Sequence, residues 1–174
     1  GFIGYHVSEA LLRRGERVVG VDSLNAYYDP ALKRARLDLL AGRDGFRFQR
    51  ADVADREAMR TVVQAEPGID RIVHLAAQAG VRYSLEDPWA YVDANVQGQV
   101  TIMELARELP CFRHLVYASS SSVYGGNTKL PFAVGDPVDQ PVSAYAATKR
   151  AAELLAETYA HLYRLPMTGF RFFT

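Results

Sequence analysis

The chain has 174 residues, 49% hydrophobic and 23% charged, which allows one domain with a sizeable core. Its 20 basic and 20 acidic residues cancel, and no basic block stands out, so a nucleic-acid partner is disfavoured. The single cysteine, Cys111, makes no internal disulfide and fits a reducing, cytoplasmic setting; no apolar run approaches the ~20 residues of a membrane span, and no secretion signal is visible.

Taken in order, residues 5–14 have helical spacing and stop at Gly15. Residues 17–22 read as a buried strand. Asp29-Pro30 opens a helix to about Leu40, and 46–52 alternates as a strand. A helix over 55–66 precedes a strand within 70–77. Asp87 and Pro88, as N-cap and first residue, start a long helix to about Leu109. Residues 114–118 form the next strand. A loop over 126–142 carries three prolines and two glycines; Ser143 caps a helix to about Tyr163, and 167–173 closes as a strand.

Alternation of helix and strand implies a parallel sheet covered by helices on both faces. Right-handed crossovers make this a doubly wound, Rossmann-like α/β fold, with ligands at the carboxyl ends of the strands. Asp22, "HLAAQAG" (74–80) and the serine run 119–122 all fall at such ends. The opening "GFIG" has no strand before it, where a dinucleotide fold places its central first strand. The expectation is therefore a domain lacking its first strand, the interior of a longer protein, unstable or inactive alone.

Gly1, Phe2, Ile3 and Gly4 read as the second half of a phosphate loop, whose N–H groups cradle a pyrophosphate, or as glycines at a domain edge. Asp22, eighteen residues after Gly4, either accepts from a ribose 2′-OH or caps a turn. No arginine follows it directly, so NAD is expected over NADP. Asp52 and Val53 end the following strand, as a cap or beside an adenine. Tyr145 and Lys149 are four residues apart on a helix and share a face. An ammonium beside the phenol favours the phenolate, with a serine hydroxyl to share its proton; an ordinary surface pair has the same spacing. No metal ligand is expected.

Together and in this order, the half loop, Asp22, "HLAAQAG", "SSSSVYG" (119–125) and "YAATK" (145–149) resemble the extended short-chain dehydrogenase/reductase family of NAD-dependent nucleotide-sugar epimerases and dehydratases. The resemblance covers the whole chain and implies Ser120, Tyr145 and Lys149 as the catalytic set. Ser120 lies three residues before Val123, where the family has its reactive hydroxyl. The resemblance also implies that Asn25, Leu75, Ala76, Ala77, Gln78 and Asn95 join the cofactor site, with Tyr145 and Lys149 touching both cofactor and substrate. Asn95 is further expected to position the active-site helix. Arg82 is a substrate contact or a surface ion pair.

Within the family, "VDSLNAYYDPALKRARL" (21–37) and residues 74–98 look most like UDP-glucuronate 4-epimerases. Related dehydratases place an Asp-Glu pair after the reactive hydroxyl, and related decarboxylases a Glu before Val-Tyr-Gly. This chain has Ser121 and Ser122 there, which with Thr174 are expected to hold the sugar carboxylate. The implied reaction is C4 epimerisation of UDP-glucuronate through a 4-keto sugar. A UDP-galactose epimerase, a dehydratase or a decarboxylase remains an alternative, as does a non-catalytic NAD-binding module. The resemblance further implies a C-terminal substrate domain outside this chain and leaves a homodimer open.

Overall fold

The structure is a computed structural model that describes residues 1–173. Its contacts divide the chain into two compact units, Gly1–Pro67 and Gly68–Thr174.

The first unit holds α1 (Phe2–Arg13), β1 (Val18–Asp22), α2 (Pro30–Ala41), β2 (Phe46–Arg50) and α3 (Arg56–Ala65). Helix α1 begins three residues earlier than the apolar spacing indicates, because Gly1 is already its N-cap. Asp29 caps α2 by accepting from Ala31 N–H, with Pro30 in the first turn. Asp55 caps α3 through Glu57 and Ala58. Strands β1 and β2 are parallel, in register from Val18 with Phe46 to Asp22 with Arg50. Leu12, Leu40, Val53, Met59 and Val62 are buried. At roughly 1.5–3 kcal/mol per fully buried aliphatic side chain, such residues supply most of the drive to fold.

The second unit holds β3 (Arg71–His74), a 3₁₀ turn (Tyr83–Leu85), α4 (Pro88–Tyr91), a π-helical segment (Val92–Gln97), α5 (Gly98–Glu108), β4 (His114–Ser120), a 3₁₀ turn (Ser121–Tyr124), α6 (Ala144–Tyr163) and β5 (Met167–Phe172). Its sheet runs β3-β4-β5, with both pairings parallel. Helices α5 and α6 pack on each other, α5 also on β3 and α6 on β4 and β5. The expected helix from Pro88 to Leu109 is present but passes through the π segment, which periodicity does not reveal. Strand β4 continues two residues past Ala118, so Ser119 and Ser120 belong to the strand. Leu115, Tyr117 and Ser119 are buried on one face of β4.

Among the described residues, β1 pairs only with β2 and β3 only with β4. Each therefore carries one unpaired edge. No helix among them is long and apolar enough to cross a membrane.

Candidate active site

In the first unit, Gly1 to Gly4 form the N-cap and first turn of α1. A Cβ built on Gly1 or Gly4 meets no atom within 4 Å, so there is open space beside both glycines. At the end of β1, Asp22 Oδ1 accepts from Leu24 N–H at 2.8 Å and from Lys33 Nζ at 2.9 Å. The Gly1 nitrogen lies 3.2 Å from Oδ2. Burial works against ionisation of Asp22, but its pKa lies below the usual carboxylate value, lowered by the bonds from Lys33 and Leu24 and by the Lys33 charge. Lys33 also reaches Asn25 Oδ1 at 3.4 Å, so one ammonium gathers both predicted residues. Lys33 escaped the sequence reading. Its signal was position: it stands in the first turn of α2, just after the Asp-Pro start. Asp52 accepts from Ala54 N–H at 2.9 Å in the turn before α3, whose cap is Asp55, and Val53 beside it is buried.

In the second unit, β3 ends at His74 and runs into Leu75, Ala76, Ala77 and Gln78. Asn95 is buried and fully engaged: Oδ1 accepts from Gln78 N–H at 2.9 Å, and Nδ2 donates to Gln78 O at 3.0 Å and Thr148 Oγ1 at 3.1 Å. These contacts fit its positioning reading. Gln78 Nε2 is buried without a hydrogen-bond partner, an orphaned donor at the end of a strand.

Ser120 ends β4. Its hydroxyl caps the following 3₁₀ turn, accepting from Ser122 N–H and donating to Ser122 Oγ, each at 3.1 Å. Ser121 and Ser122 are partly buried in that turn, whose residues pack on α6. The turn closes at Gly125, φ 57°, where a Cβ would overlap Gln140 O. Ser143 caps α6 through Ala146 N–H at 3.0 Å and so sets Tyr145 in its first turn. Lys149, one turn on, is buried; burial lowers its pKa to about 8, against the pull of Glu153. His74 is pushed down to about 3 by burial and by the Lys149 charge, and is neutral at pH 7. Arg82 is exposed at the start of the first 3₁₀ turn, and no ion pair to it is present among the described residues. Thr174 lies outside the described residues.

Glu153 and Arg171 were also missed. Arg171 binds Glu153 twice, Nε to Oε1 and Nη2 to Oε2, both 2.9 Å. Ser119 Oγ donates to Oε1 at 2.6 Å and Arg150 Nη1 to Oε2 at 2.9 Å. Burial opposes the Glu153 charge, but these donors outweigh it and hold its pKa low. The signal for Glu153 was its place four residues after Lys149; nothing local marks Arg171. Glu153 and Arg171 line a cavity of about 680 Å³ with Tyr117, Tyr124, Phe132 and Phe173; Ser120, Tyr145 and Lys149 do not.

Parallel strands alternating with helices define a Rossmann-like α/β protein. Residues 1–174 match the profile of the NAD dependent epimerase/dehydratase family, and the chain belongs to it. A probable UDP-glucuronate 4-epimerase of Rhizobium meliloti is 51% identical over 175 residues, covering all of this chain and 50% of the relative. Among solved structures, UDP-glucuronic acid 4-epimerase from Bacillus cereus, in complex with UDP-glucuronic acid and NAD, aligns over all of this chain and 54% of its own with a TM-score of 0.90 and 30% identity. UDP-glucose 4-epimerase from Thermus thermophilus, in complex with NAD, aligns over 98% of this chain and 51% of its own with a TM-score of 0.82 and 31% identity. The chain spans about half the length of the relatives it matches.

Proposed function

We propose that residues 1–174 carry the cofactor-binding and catalytic part of a longer, cytoplasmic NAD-dependent epimerase that interconverts UDP-glucuronate and UDP-galacturonate. The observation that carries the reading is the buried Lys149 ammonium one helical turn from Tyr145, backed by a neutral His74. The residues present fit NAD: open space beside Gly1 and Gly4, an ionised Asp22 for a ribose hydroxyl, and an orphaned Gln78 amide. When bound, NAD supplies an acceptor for the C4 hydride and returns it.

Tyr145, as phenolate, takes the proton of the C4 hydroxyl. Lys149 supplies a buried positive charge one helical turn from the phenol. Ser120 orients the C4 oxygen and shares its proton. The 4-keto sugar then turns in the site, and Tyr145 returns the proton as the opposite face is reduced. Ser121 and Ser122, with Thr174, bind the C5 carboxylate. The relative named as a UDP-glucuronate 4-epimerase, at 51% identity, supports this substrate over UDP-glucose.

The test uses full-length protein. UDP-glucuronate and UDP-galacturonate should interconvert, NAD should remain bound, and Tyr145→Phe should lose at least about 100-fold in kcat while retaining NAD, as expected for a general base. Failure to interconvert the two sugars, or a Tyr145→Phe variant with more than about a tenth of wild-type rate, overturns the reading. A homodimer is the assembly expected of the whole enzyme, which light scattering measures.

A further inference from the structure

Tyr91 is the only fully buried tyrosine among the described residues, at 0% exposure, and nothing in the proposed reaction uses it. Its hydroxyl lies 2.9 Å from Ala79 O and 2.5 Å from Gly80 O, with one proton between two acceptors. Its ring meets that of Tyr145 edge to face, centroids 6.0 Å apart and planes at 76°. One step further along, Asn95 holds Gln78 by both backbone groups and donates to Thr148 Oγ1. The Thr148 hydroxyl in turn donates to Tyr145 O at 2.9 Å.

Two side chains of one segment thus make matching contacts in two directions. Toward β3 they hold three consecutive residues, Gln78, Ala79 and Gly80. These residues lie beyond the strand, so their backbone groups need partners from outside the ladder. Toward α6 they reach Tyr145 at its ring and, through Thr148, at its carbonyl. The helix between them changes from α to π after Tyr91, and such turns insert an extra residue and re-aim side chains. Every hydrogen of the Asn95 amide is used, so the connection has one arrangement.

We propose that Tyr91 and Thr148 are positioning residues for the reaction. They register the Tyr145 phenol against the 78–80 segment, which lines the cofactor in the proposed function on which this inference rests. A general base must lie within about 2.6–3.2 Å of the proton it takes. A displacement of about 1 Å can cost on the order of 100-fold in rate. Removing either hydroxyl loosens the link on one side while leaving both reacting groups in place.

The experiment compares Tyr91→Phe, Thr148→Val and Thr148→Ser with wild type in full-length protein, with Tyr145→Phe alongside. Tyr91→Phe keeps the ring, and Thr148→Val keeps the shape. Each should lower kcat about tenfold or more, with KM for UDP-glucuronate and NAD content within about twofold of wild type. Thr148→Ser should restore most of the rate. A merely structural role would lower the melting temperature and leave kcat unchanged, or lower kcat and KM-normalised binding together without rescue by serine; either result overturns the proposal. If Tyr91→Phe does not fold, Thr148→Val and its serine rescue decide alone. Wild-type kcat in both variants beside an inactive Tyr145→Phe removes the positioning role only. An active Tyr145→Phe removes the general-base reading, and the positioning role with it.

Discussion

Lys33 Nζ lies 2.9 Å from Asp22 Oδ1, an ion pair between the first turn of α2 and the end of β1. Both side chains are largely shielded, 15% and 22% exposed, so the contact is less screened than a surface pair. It sets two opposite charges where a dinucleotide ribose would end. Under the proposed function, Asp22 would accept from a 2′-OH and repel a 2′-phosphate, whereas Lys33 would temper that repulsion. In full-length protein, Asp22→Asn should therefore raise the NADP-to-NAD affinity ratio, and Lys33→Met should lower it. Calorimetric titration with both dinucleotides reads the two ratios. A ratio unmoved by both substitutions would place the ribose elsewhere.

The buried Lys149 predicts an alkaline limit to activity. Its pKa in the fold is about 8, set by burial and partly offset by Glu153, with a neutral His74 on the β3 side. The ammonium is present below that value and is lost as pH rises through it, so kcat/KM should fall above pH about 8. Stability runs the other way. Between about 8 and the ordinary 10.5 the unfolded chain binds more protons at this residue, so its contribution to stability grows with pH. Glu153→Gln leaves Arg150 and Arg171 unbalanced and should move the activity limit to lower pH. A rate that keeps rising to pH 10 would show that the ammonium is dispensable.

Gly125→Ala should destabilise the turn that carries the serines. Gly125 holds φ 57° with ψ −126°, the conformation of the first central residue of a type II′ turn, where an L side chain is strained by roughly 1–3 kcal/mol. The added methyl would also meet the Gln140 backbone oxygen, which cannot swing aside as a side chain can. A denaturant midpoint lowered by more than the backbone penalty alone is the expected result. An unchanged midpoint would mean that the 140–141 strand of loop moves freely.

Under the proposed function, the serines after Ser120 bear on product outcome. A 4-keto glucuronate is a β-keto acid, ready to lose CO₂, and neither Ser121 nor Ser122 is an acid at neutral pH. Holding the carboxylate near the sugar plane opposes that loss. Full-length protein should release UDP-galacturonate with little CO₂, and the combined alanine variant of Ser121, Ser122 and Thr174 should raise KM for UDP-glucuronate and increase the CO₂ fraction. Identical kinetics and product ratio in that variant would remove the serines from substrate recognition.

The parallel α/β order was legible because each element carries its own punctuation. Asp29-Pro30, Asp87-Pro88 and Ser143 all cap where their chemistry indicates. Local rules stop at contacts between distant residues. Glu153 meets Arg171 only because α6 lies on β5, and Lys33 meets Asp22 only because α2 packs on β2, whose end lies beside that of β1; no periodicity encodes either. The π segment was hidden for another reason. A helix with one extra residue keeps much the same apolar pattern on both sides, and the evidence for it is where Tyr91 and Asn95 point.

Four identical serines cannot tell the sheet which of them is which. A slip of β4 by one position would place Ser120 where Ser119 stands, reverse the face of each side chain, and leave the composition of the run nearly unchanged. Identity must come from outside the run. Tyr117 lies opposite Gly169 in β5, with its ring where a Cβ at 169 would be, and no other residue of that strand leaves such room. Two positions on, Glu153 takes the Ser119 hydroxyl on the same face, so Ser120 is left on the other. A glycine and a carboxylate, both far from the serines in the sequence, thus number them, and an insertion beside Ala118, between Tyr117 and Ser119, would scramble that numbering without changing a single serine.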